Sequence, residues 1–67
     1  MKLNNIQKEI LKLIVAGKSN IEIAEDLNYS LGNIKKNIQF CYKFFNVENR
    51  ASLVREAVLL FLSNKVL

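Results

Sequence analysis

Apolar residues recur along this chain at intervals of three and four, the signature of helices that bury one side. Ile6, Ile10, Leu13 and Ile14 form a first stripe with Leu11 beside it, while Lys8, Glu9 and Lys12 occupy the other side. This predicts a helix over about residues 5–16, capped by Asn4 or Asn5 and stopped at Gly17. Ser19-Asn20-Ile21-Glu22 is a capping box, in which the hydroxyl bonds an amide three residues on and the carboxylate reaches back. It starts a second helix over about 20–27, with Ile23, Ala24 and Leu27 inward. Asn28 tolerates a left-handed turn and Ser30 can cap a third helix, so that only Asn28-Tyr29-Ser30 separates the two. Such a short break after a small buried residue, Ala24, is helix-turn-helix spacing.

The third helix, over about 31–45, carries Ile34, Ile38, Cys41 and Phe45 on one seam. Lys35, Gln39 and Lys43 lie on a different face, with Lys36, Asn33 and Asn37 beside them, and no carboxylate occurs from residue 27 to 47. Amines and amides are what a groove-reading helix needs, since Lys donates to guanine O6 and N7 and Asn or Gln bonds an adenine edge or a phosphate. An ordinary solvated basic face is the plainer alternative. A fourth helix, over about 50–63, is apolar at 53, 54 and 57–62, a band wider than the roughly 100° that one core-facing side requires. With Leu53, Ala57 and Leu60 inward, Val54, Val58, Phe61 and Leu62 remain partly outward. They either pair with another copy or wrap over the first helix.

At 67 residues the chain is expected to be one all-α domain, near the size at which a single core only just offsets chain entropy. Its charge of +4 suits a polyanionic partner without requiring one. The absence of histidine, a solitary cysteine and glycines outside any phosphate loop leave little for catalysis or for a metal. Glu9, Glu22, Glu25 and Asp26 fall where solvent-facing helical carboxylates belong, so neither an enzyme nor a cofactor is expected. A small-molecule ligand is not expected either. No apolar run approaches the roughly 20 residues of a membrane span, no signal-peptide pattern occurs, and Cys41 has no disulfide mate, which together point to the cytoplasm.

Residues 3–62 resemble the LuxR/GerE-type helix-turn-helix domain of bacterial transcription regulators. The matching segments are EILKLIVAGKSNIEIAEDL (9–27), IKKNI (34–38) and NVENRASLVREAV (46–58). The resemblance implies four helices, double-stranded DNA as partner, and the third helix in the major groove. Carried over position by position, it places base contacts on Lys35, Lys36 and Gln39. Backbone contacts fall on Lys18, Asn20, Ser30, Asn33, Asn37 and Lys43. It also implies a weak homodimer through the terminal helix, with Val54, Val58, Phe61 and Leu62 at the interface. Glu9 and Arg50 match positions that look structural and are expected to tie the first helix to the start of the fourth.

Departures from the family pattern change this picture in places. Ile6 and Gln7 stand where an Arg-Glu pair is usual, Asn33 and Asn37 where Thr and His are usual, and Asn46 where glycine is usual. Gly32 weakens the first turn of its helix by up to about 1 kcal/mol relative to Ala. Phe40 and Phe44 replace polar residues one turn apart, and three readings compete for them: packing inward onto the terminal helix, meeting thymine methyls or sugars, or docking a protein. The alternative function is therefore a helical protein-interaction module that keeps the fold without binding DNA, using Phe40 and Phe44 or the terminal helix. A peptide lying on a membrane surface fits poorly, because the apolar residues form several core faces and not one strip.

Overall fold

The computed structural model describes residues 2–64. Four helices succeed one another: α1 (Asn5–Val15), α2 (Asn20–Leu27), α3 (Leu31–Phe45) and α4 (Arg50–Asn64). Each boundary has a local chemical cause. Asn4, Ser19 and Ser30 cap the first three helices, each accepting from the amide three residues on, and Asn49 Oδ1 accepts from Ser52 N in the same way at 2.8 Å. At the other ends the chain enters left-handed backbone at Gly17 (φ 89°), Asn28 (φ 58°) and Asn46 (φ 55°). There the amides of Lys18, Tyr29 and Val47 return to the carbonyls of Leu13, Ala24 and Tyr42 at 2.9–3.0 Å. Asparagine serves at the two non-glycine positions because its short amide lowers the cost of positive φ.

The core is assembled from all four helices. Ile10, Leu11 and Ile14 of α1 meet Ile23 and Ala24 of α2, Ile34, Ile38 and Cys41 of α3, and Leu53 and Ala57 of α4. Full burial of one such isoleucine or leucine contributes about 1.5–3 kcal/mol. Around this centre Leu3, Ile6, Leu13, Leu27, Tyr42, Phe45, Val47, Val54 and Phe61 pack half-buried. Burial of Cys41 pushes its thiol up to about 11, so it stays protonated and behaves as a small apolar side chain.

α1 packs on each of the other three helices, and α3 bridges α2 and α4. Among the described residues α2 and α4 make no close backbone approach. The Arg50 guanidinium spans that gap, with Nη1 donating to Asn20 Oδ1 at 2.8 Å and Nη2 to the Lys18 carbonyl at 2.9 Å. The expected tie between Glu9 and Arg50 is thereby corrected. Glu9 is exposed and pairs with Lys12 at 3.4 Å, because the first turn of α4 lies against the α1–α2 turn and not against the middle of α1.

Candidate nucleic-acid interface

The turn Asn28-Tyr29-Ser30 sets α3 against α2, and the placement of Ile34, Ile38 and Cys41 in the core decides which side of α3 faces out. Lys35, Lys36, Gln39 and Lys43 are all exposed, as is Asn33. The ion pairs among the described residues are Lys12 with Glu9, Lys18 with Asp26 and Arg55 with Glu56, so Lys35, Lys36 and Lys43 have no carboxylate partner there. Three uncompensated ammonium groups thus share the outer face of one helix. A face of this kind attracts phosphate, and its lysine and glutamine heads can donate to base edges.

Beside this face lies an open basin of ≈ 530 Å³, lined in part by Lys18, Asn20, Lys35 and Arg50. The start of α2 forms its floor. Glu22 Oε1 accepts from Ser19 N at 2.8 Å, and Ser19 Oγ accepts from Glu22 N at 3.2 Å. The Ser19 amide first, then its hydroxyl and the Lys18 charge, hold the Glu22 carboxyl below its usual range despite opposing desolvation. Lys18 is half-buried, and its ammonium lies 3.7 Å from Asp26.

The profile of the family described as "Bacterial regulatory proteins, luxR family" (GerE) matches residues 1–57. This chain belongs to the luxR family of bacterial regulatory proteins. Over 44 residues it is 43% identical to "Putative HTH-type transcriptional regulator YhjB" of Escherichia coli (strain K12), a match covering 66% of this chain and 22% of that protein. The chain thus matches only about a fifth of the length of that curated relative. The luxR family is a DNA-binding, helix-turn-helix kind of protein and not an enzymatic one. None of the helices among the described residues is long and apolar enough to cross a membrane, and no group of acidic, cysteine or histidine side chains among them could hold a metal ion.

In this luxR-type domain the residues expected at the interface fall into two groups. Lys35, Lys36, Gln39, Lys43, Asn33 and Ser30 are exposed on or beside α3. Asn37 is half-buried and already bonded: its Oδ1 accepts from Gln7 Nε2 at 3.2 Å, and its Nδ2 donates to Asn33 O at 2.9 Å and Asn33 Oδ1 at 2.8 Å. Asn20 is half-buried with its oxygen taken by Arg50, which leaves its amide hydrogens for a ligand in the basin. Gln7, only 6% exposed, belongs to the site through Asn37, and Arg50 belongs through Asn20. Neither link has a signature in local sequence, because each joins residues 30 apart.

Two apolar features also stand near this surface. Phe40 and Phe44 are half-buried and stack along α3 with centroids 6.5 Å apart, and Phe44 meets Phe45 edge to face at 4.9 Å. Phe45 anchors the trio on the core. Ile21, 60% exposed on the first turn of α2, also lines the basin, a position off the Ile23-Ala24-Leu27 stripe.

Proposed function

We propose that this domain binds double-stranded DNA sequence-specifically as a transcription regulator or its output module, with α3 in the major groove. The observation that carries the reading is the outer face of α3, where Lys35, Lys36 and Lys43 stand exposed beside Gln39 with no carboxylate partner among the described residues. Lys35, Lys36 and Gln39 read base edges. Ser30, Asn33 and Lys43 hold one stretch of phosphates, and Lys18 and Asn20 hold another from the basin. Asn37 supports this set from behind, since both of its amide hydrogens are spent on Asn33. Such a regulator works in the cytoplasm, as a homodimer on two-fold related half-sites.

The dimer is built on α4. Leu59 and Leu62 are 52% and 53% exposed, and Val58 is half-buried beside them. Val54 and Phe61 lean on the core and continue the same apolar side. A small isologous contact of this kind is weak alone and strengthens when DNA holds two copies together.

The second reading, a protein-interaction module without DNA, draws on the Phe40–Phe44 stack. Selection from a random duplex pool, then binding across a salt series, separates the two. A DNA reader enriches a sequence and loses affinity steeply as salt rises. A domain that binds no duplex at low salt overturns the proposal in favour of the second reading.

A further inference from the structure

Three departures from the family pattern, at Gln7, Asn33 and Asn37, are one hydrogen-bonded chain in the folded protein. It begins at the Asn4 amide, which donates to Gln7 Oε1 at 3.0 Å while Gln7 N donates to Asn4 Oδ1 at 2.8 Å. It continues from Gln7 Nε2 to Asn37 Oδ1 at 3.2 Å, and from Asn37 Nδ2 to both the carbonyl and the side-chain oxygen of Asn33. The direction of the chain is fixed at both ends. A backbone N–H can only donate, so it must meet the oxygen of Gln7, and a backbone carbonyl can only accept, so it must meet the nitrogen of Asn37. The carbonyl sets which way the Asn37 amide faces, and the bond from Gln7 Nε2 to Asn37 Oδ1 anchors that amide where its Nδ2 draws the Asn33 oxygen inward. The Asn33 NH2 group makes no hydrogen bond among the described residues and lies on the exposed face of α3.

We infer that Gln7 is a positioning residue for DNA binding: through Asn37 it locks Asn33 with its two N–H donors outward, onto a backbone phosphate. A phosphate oxygen only accepts. An unlocked asparagine would present its own oxygen there part of the time and be repelled, whereas the locked one presents hydrogens alone. The three residues carry no ionisable group, so the lock is indifferent to pH and to salt. This inference rests on the DNA-binding reading above and adds to it the orientation of one contact and the buried residue responsible.

The test uses a duplex selected from a random pool and four proteins: the parent, Asn33→Ala, Gln7→Met and the double variant. Parent binding is measured first, and a parent that binds no duplex overturns the DNA reading and this inference with it. Given a binding parent, each single variant should weaken affinity about three- to tenfold, the scale of one neutral hydrogen bond. The double variant should bind no more weakly than Asn33→Ala, because Gln7 acts through Asn33. The slope of log affinity against log salt should stay that of the parent, since a neutral amide releases no counterion, whereas loss of a lysine contact lowers it. Additive losses, parent-like binding by Gln7→Met or a reduced slope would each overturn the inference. If Gln7→Met melts below the assay temperature, Gln7→Glu replaces it in the same four-way comparison. That variant keeps the acceptor for the Asn4 amide while losing the donor to Asn37, and its added charge acts equally with and without Asn33 and so cancels.

Discussion

α3 and α4 are each 15 residues long, and both feed the same core, yet they leave opposite kinds of surface outside it. α3 buries a narrow seam, Ile34, Ile38 and Cys41, and exposes lysines and amides. Among its described side chains α4 fully buries only Leu53 and Ala57 and spreads half-buried or exposed apolar groups, Val54, Val58, Leu59, Leu60, Phe61 and Leu62, around its flanks. Among the described residues the lysines of α3 have no carboxylate partner, and Leu59 and Leu62 of α4 stay more than half exposed. What each helix leaves unsatisfied names the chemistry that would match it: a polyanion for α3, and for α4 another apolar face, the role proposed above for a second copy.

The contrast breaks most visibly in the core. Ile38→Ala, at a site 4% exposed, should cost about 2–5 kcal/mol in denaturant melts, whereas Leu59→Ala, 52% exposed, should stay within about 0.5 kcal/mol of the parent while the protein is monomeric. An unchanged melt for Ile38→Ala would mean that α3 is rotated and that its lysines face elsewhere. Next in size, Lys35→Ala and Lys36→Ala should each weaken binding to a selected site by about 1–3 kcal/mol where the lysine contacts a base, with melting temperatures unmoved. Retained tight binding by the double variant would remove the reading face from α3.

On the α4 side, Val58→Glu should lower occupancy of a paired half-site by about tenfold while leaving a single half-site unaffected, because only the linked binding is lost. Sedimentation of the parent on its selected DNA checks the same point, and a parent that stays monomeric there would dismiss the dimer. The smallest change is a gain. A methyl at Gly32 meets nothing within 4 Å, so Gly32→Ala should stabilise the domain by up to about 1 kcal/mol through helix propensity. Loss of DNA affinity in that variant would show that a DNA strand passes against the first turn of α3.

The helices were legible in the sequence because their boundaries are encoded within a few residues of one another. Ser19 with Glu22, Ser30 with Asn33, and the left-handed Gly17, Asn28 and Asn46 all act locally. The observed ends differ from those expected by one residue, Val15 for Ala16 in α1 and Asn64 for residue 63 in α4. The seam of α3 was equally plain, since a narrow stripe has one solution. The band on α4 was not: Leu59 emerged as an exposed leucine that no periodicity singled out, because in a run of six apolar residues every rotation of the helix buries something. Least legible were the contacts of Gln7 and Arg50. Each depends on where two helices come to rest, and a side chain that reaches 30 residues along the chain leaves no periodic trace.

The same short connections that made the helices readable also bear on how quickly the domain assembles. Residues 16–19, 28–30 and 46–49 are all that separate successive helices, and each connection is closed by its own caps, while α1 also packs on α4 from the far end of the described chain. Little loop-closure entropy is spent in pairing α2 with α3, whereas closing α4 onto α1 spans the two intervening helices and costs more, so the helix-turn-helix pair is expected to form before that closure.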